Sequence, residues 1–187
     1  MSQYDSIEQK ASYGIGRNMG DQLAQQAFAG LDIPALQQGL ADAFQVITAR
    51  MQEEQEAAAK AAAADGEAFL ADNAKRAEVK VTDSGLQYEV LVEGNGAVPV
   101  AGQSVRVHYH GTFTHGGVFD SSVARGQPAE FPVTGVIAGW VEALQLMPVG
   151  SKWKLYIPHD LAYGARGAGS IPPYSALVFE VELLDIL

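Results

Sequence analysis

Tyr109, Phe119, Trp140, Tyr163 and Phe179 are many rings for residues 81–187. Two of the five are tyrosines, whose hydroxyls need a hydrogen-bond partner when the ring is buried. Asp120 directly follows Phe119, and a carboxylate at an apolar rim is unusual for pure packing. The surplus of rings points to a pocket with a polar edge. The same residues also fit a plain interior. Trp140 could pack as Trp153 does, Tyr163 could anchor a loop, and Asp120 could close a turn. Taken alone, the residues leave both readings open.

Covalent and metal chemistry have little support. The chain has no cysteine, which excludes disulfides, thiolate catalysis and cysteine-based metal sites. No GxSxG elbow, phosphate-binding Walker loop, HExxH pair or dinucleotide fingerprint is present. His108 and His110 lie two apart on one strand face, a spacing that could hold a metal. No third ligand is marked, so a solvated strand face is the simpler reading.

The net charge is −10 and the pI about 4.7. Residues 1–80 hold 12 acidic and 7 basic residues, and residues 81–187 hold 10 and 5, so both halves share the deficit. No Lys/Arg cluster exists to track phosphates or an anionic bilayer, so neither nucleic acid nor membrane is an expected partner. The start, MSQYDSIEQK, has no apolar signal core, and no apolar run is long enough to span a bilayer. The expected location is cytoplasmic.

The elements that must position these residues divide near Val79–Asp83. Residues 1–78 read as helical and residues 79–187 as strand and turn. The first 78 residues hold only Pro34, whereas seven prolines follow. Asp5-Ser6-Ile7-Glu8 predicts a capping box opening a helix that runs to about Phe28, with Gly30 as its stop. Asp32 and Pro34 restart a helix. Leu36, Leu40, Ala43, Phe44, Ile47 and Met51 then form an apolar stripe at spacings of three and four. The alanine run 57–64 carries the helix on to about Ala77, weakened at Gly66. Residues 35–77 would span roughly 65 Å at 1.5 Å per residue, with 52–77 as a solvated spacer. A stripe on so long a helix needs a cover. Gly16, Gly20 and Ala24 would allow close helix approach, and Tyr13, Met19, Leu23 and Phe28 supply bulk. The expectation is a homodimer through residues 1–50, against the alternative of a hairpin folding on itself.

Beyond Val81 the period is two. Val105, Val107 and Tyr109 alternate with polar residues, as do Trp153, Leu155 and Ile157, and Leu177, Phe179, Val181 and Leu183 lie on one face of a third run. Gly94-Asn95-Gly96, Gly116-Gly117, Gly126 and Pro148-Val149-Gly150 separate the runs. Val136–Leu144 lacks alternation and reads as one short helix. The fold class is α+β: a helical N-terminal region with a long linking helix, then an antiparallel sheet wrapped on one short helix as a half-barrel.

Six segments in order, VRVHYHGTF at 105, GGVFDSS at 116, VIAGWVEAL at 136, MPVGSKWKLYIP at 147, LAYGARG at 161 and IPPYSALVFEVELLDI at 171, resemble the FKBP family along 105–187. The family comprises prolyl isomerases that bind proline-containing peptides and the macrolides FK506 and rapamycin. The resemblance implies a shallow pocket lined by Tyr109, Phe119, Val136, Ile137, Trp140, Tyr163 and Phe179, with Asp120 at its polar edge. Trp140 matches the indole floor, and the Ile137 N–H and Tyr163 hydroxyl match donors to ligand carbonyls. Ile171 matches an overhanging loop residue, and Phe131 and Arg125 match flanking positions. Arg125 is placed to orient Tyr109 or Asp120. The activity implied is isomerisation of X–Pro bonds in peptides and unfolded protein clients, without any cofactor. Ala129, Gly135 and the short loop 166–170 depart from the family at the expected rim, where they bear on peptide preference and macrolide affinity. Residues 1–78 resemble the dimerisation segment of bacterial Mip-like FKBPs, through helix layout and ASYGIGRNMGDQL.

Overall fold

A computed structural model describes residues 6–26 and 28–187. They form two compact units, Met1–Gln52 and Glu53–Leu187. In the first, helix α1 covers Ile7–Gln25. Its cap lies one residue later than expected. The Ser6 hydroxyl accepts the Gln9 N–H at 3.1 Å, and Gln9 Oε1 accepts the Ser6 N–H at 3.2 Å. The expected Asp5 partner lies outside the described residues. α1 also stops short of Phe28, because the Gln26 N–H turns back to the Leu23 carbonyl at 3.1 Å. Gly30, with φ of 96°, sits in the connecting turn rather than at the helix end.

Helix α2 covers Ile33–Asn73. The Asp32 carboxylate accepts the Ala35 N–H at 3.0 Å, and Pro34 stands in the first turn, where its missing N–H costs no hydrogen bond. No described residue of the first unit is buried. Phe44, Ile47 and Met51 are all more than half exposed.

The second unit holds the sheet. Strands β1 (Lys80–Val81), β2 (Gln87–Val92), β3 (Ser104–Phe113), β4 (Val118–Ser121), β5 (Ala129–Pro132), β6 (Lys152–Ile157) and β7 (Leu177–Ile186) are ordered β1-β2-β6-β7-β3-β4, with β5 also beside β3. All pairings are antiparallel. The short helix α3, Ala138–Leu144, supplies Trp140, Ala143 and Leu144 to the core. They meet Val105, Val107, Leu155, Ile157, Val181 and Leu183 from the period-two runs.

The expectation of a solvated spacer over 52–77 fails at its C-terminal end. Phe69 and Leu70 pack on Val79, Tyr156 and Val178, covering part of the sheet's other face. That contact explains why Tyr156 and Val178 are buried although they lie on the polar side of the alternation. Gly66 is a site of close approach within a continuous helix: a Cβ there would lie 3.0 Å from that of Ala176. The helix ends at Asn73 rather than Ala77, where the side chain turns inward and donates to Gln87 Oε1 at 2.9 Å. Arg76 then reaches the Tyr156 hydroxyl at 2.8 Å and Glu89 at 2.9 Å.

Candidate functional site

The ring residues converge. Strand β3 places Tyr109 on the core face, and β7 places Phe179 two strand residues from Val181, its cross-strand partner. Phe119 comes from β4 and Phe131 from β5. The 3₁₀ turn Val133–Gly135 leads into an extended Val136, and Ile137 caps α3. One turn along α3, the Trp140 indole stands edge-on to three rings: Phe179 at 5.3 Å, Tyr109 at 5.5 Å and Phe131 at 5.9 Å. Phe119 meets Phe179 edge-on at 5.4 Å. Edge-to-face packing at these distances is favourable and fixes ring orientation.

These rings do not seal the interior. They border a cavity of about 610 Å³ in which Trp140, itself only 4% exposed, forms part of the lining. Val136, Ile137, Tyr163, Ile171 and Asp120 join them. The loop carrying Ile171 is closed by paired bonds to Ala168, at 3.0 and 2.8 Å. The Ile137 carbonyl accepts the N–H groups of Trp140 and Val141, and among the described residues its own N–H has no partner. Tyr163 is 39% exposed at the mouth.

Arg125 takes the orienting place expected of it, and one expectation about the rim, that of Ala129, changes. Arg125 does not line the cavity. It stands behind the polar edge, paired with the Asp120 carboxylate and donating to the Tyr109 hydroxyl at 2.8 Å. Its guanidinium also lies 5.6 Å from the centre of the Tyr109 ring. Ala129 does not reach the cavity either. It pairs with Val107 in the sheet and packs on the core. Gly135 and Ala168, Gly169 and Ser170 do line it.

The polar edge is a closed set. The Tyr109 hydroxyl donates to one Asp120 oxygen, while the other accepts from Arg125 and from the Ser121 N–H at 2.8 Å. Burial alone would push the Asp120 carboxyl up. Hydrogen bonds from Tyr109 and Arg125, with the Arg125 charge, outweigh it and hold the group below the usual carboxylate range. Burial, and next the hydrogen bond to Asp120, push the Tyr109 hydroxyl above its ordinary value. Asp120 is thus a fixed negative charge and Tyr109 a neutral phenol at neutral pH.

Gly111 was not anticipated as part of the site. A Cβ there would stand 2.7 Å from the Phe119 ring and 2.9 Å from the Phe179 ring, so only a bare backbone lets the two rings meet. A glycine inside a strand pattern is the signal that could have found it.

The site can take up an apolar ring, strip it of water, and offer donors to the carbonyls beside it. The profile described as "FKBP-type peptidyl-prolyl cis-trans isomerase" matches residues 96–184, and that described as "Domain amino terminal to FKBP-type peptidyl-prolyl isomerase" matches residues 8–90. Among curated relatives, the "FKBP-type 22 kDa peptidyl-prolyl cis-trans isomerase" of Escherichia coli is 53% identical over 98% of both chains. The "Outer membrane protein MIP" of Legionella longbeachae is 38% identical, over 95% of this chain and 84% of its own. Among solved structures, FkpA from Escherichia coli matches at TM-score 0.72 and 36% identity over 98% of both chains. The fold and the site define a prolyl isomerase. The chain belongs to the FKBP-type peptidyl-prolyl cis-trans isomerases, and it catalyses rotation about X–Pro bonds in proline-containing peptides.

Proposed function

We propose that catalysis occurs over Trp140, with the proline ring on the indole and Tyr109, Phe119 and Phe179 around it. The barrier to amide rotation, about 18–20 kcal/mol, is lost resonance. The planar amide is more polar than the twisted one and gains more from water. An apolar hollow that excludes water therefore favours the twisted state over the planar. The Ile137 N–H and Tyr163 hydroxyl hold the flanking carbonyls, so that only one bond turns. Asp120 lends its fixed charge to the carbon side of the twisted carbonyl, and Arg125 keeps Asp120 and Tyr109 in register. The observation that carries this reading is the cavity beside a nearly buried Trp140, with Tyr109, Asp120 and Arg125 interlocked at its edge.

A proline tetrapeptide assay tests it. Tyr109→Ala and Asp120→Ala should each lower kcat/KM severalfold or more. Wild-type rates in both would reject the assignment. Addition of FK506 or rapamycin should compete with the peptide at the same rings.

The exposed apolar side chains described in residues 6–52 favour a second reading beside the first. The chain is a homodimer through this unit, and the dimer holds unfolded clients near its isomerase domains.

A further inference from the structure

Ser122 follows β4 directly, is fully buried, and is not part of the cavity lining. A buried hydroxyl is held by its hydrogen bonds. Ser122 Oγ accepts the Tyr109 N–H at 2.8 Å and lies 3.3 Å from the Tyr109 carbonyl oxygen. The Ser122 N–H donates to that same carbonyl at 3.0 Å. One residue thus engages both backbone polar groups of Tyr109. On its other side, His108 Nδ1 lies 3.1 Å from the same Oγ. With Nδ1 protonated, the ring donates to the hydroxyl and the hydroxyl turns to the Tyr109 carbonyl. With Nδ1 bare, the hydroxyl donates to the ring. Either tautomer closes the chain His108–Ser122–Tyr109.

The arrangement repeats two residues on. His110 Nδ1 lies 3.0 Å from Ser121 Oγ, which accepts the Ala124 N–H at 3.1 Å. The Arg125 N–H donates to the Ser121 carbonyl at 3.4 Å, so Ser121 holds the turn from which Arg125 reaches Asp120. Both histidines lie away from the ring-lined cavity. They border a separate hollow of about 160 Å³ with Lys152, Glu180 and Glu182. Glu182 is the cross-strand partner of His108, and Glu180 that of His110.

We infer that His108 and Ser122 are positioning residues of the isomerase site, acting on it through Tyr109. His110 and Ser121 act in parallel through the turn that carries Arg125. The inference rests on the proposed role of Tyr109 and Asp120. The expected loss is one of orientation: a displacement near 1 Å can cost about 100-fold in rate, and a smaller shift costs less.

The test uses the full chain and the tetrapeptide assay, with thermal unfolding followed in parallel. Ser122→Ala leaves a buried N–H unpaired and can unfold the domain, so His108 is the informative position. His108→Leu should lower kcat about tenfold and leave KM within about twofold. His108→Asn, whose amide can meet Ser122 Oγ, should recover most of the loss. Because the effect runs through Tyr109 and its hydrogen bond to Asp120, His108→Leu should slow an Asp120→Asn background far less than it slows the wild type. A wild-type rate in His108→Leu overturns the inference, as does an equal loss in the Leu and Asn variants or full multiplication of the two losses. Failure of the site reading itself looks different: Tyr109→Ala and Asp120→Ala would then keep normal turnover.

Discussion

Arg125 donates to both Asp120 and Tyr109, so the three side chains keep one set of charges over a wide pH range. The Asp120 carboxyl is held below its ordinary range. Its ionised form, and the stability it contributes, is fully present above about pH 4 and lost only as the pH falls through the lowered value. The Tyr109 hydroxyl is raised, so it stays protonated beyond about pH 10. The expected kcat/KM for a tetrapeptide is therefore level from roughly pH 5 to 9. A limb inside that window, absent in Asp120→Asn, would show that the set does not stay fixed. At this scale the sequence was informative about ring type and poor about contact. Tyr109, Phe119, Trp140 and Phe179 stood out by number, and the polar edge by one aspartate in an apolar setting. Arg125 stood out only through family resemblance, and its place behind the edge depends on a turn built by Ser121. The serines that hold Tyr109 look like any other pair of turn serines until a partner strand is set beside them.

At the scale of elements, alternation marked the faces that meet α3, because one covered face and one wet face give a period of two. It misjudged Tyr156 and Val178, since α2 covers the second face over part of β6 and β7. That cover comes from residues far away in sequence, and Phe69 and Leu70 sit in a stretch whose alanines and charges suggest solvent. The anchor has its own polar lock: the Tyr156 hydroxyl receives Arg76 at 2.8 Å and donates to Glu89 at 3.1 Å. Hydrogen bonds to charged groups are worth roughly 1.5–3 kcal/mol, less where water reaches them. Tyr156→Phe should lower unfolding free energy by about 1–2 kcal/mol in urea titration, with tetrapeptide turnover unchanged because the ring faces away from the cavity. A matching fall in kcat would mean that the helix anchor and the isomerase site are one mechanical unit.

For the molecule as a whole, the two units differ in what could make them stable. Every buried residue described belongs to Glu53–Leu187, including Gly66 and Asn73 on α2. Residues 6–52, with no buried side chain described, lack the interior that offsets about 1–2 kcal/mol of lost backbone entropy per residue. Helices this exposed gain stability by packing against something else, and the proposed cover is a second copy of the same unit. Tyr13, Met19, Phe28, Phe44 and Ile47, each at least 39% exposed, would supply the buried surface. In sedimentation the full chain should then run as a dimer and residues 53–187 as a folded monomer. The cut belongs at 53 rather than at the 78/79 boundary, because the shorter piece would lose Phe69 and Leu70 and uncover Tyr156 and Val178. Dilution should weaken the helical circular dichroism of the full chain, by mass action on the dimer, and leave that of 53–187 unchanged. The monomer should retain tetrapeptide activity yet refold a proline-limited protein more slowly than the full chain if the dimer grips clients. Equal refolding rates would remove the client-holding role and leave dimerisation standing, and a monomeric full chain with undiminished helicity would remove both.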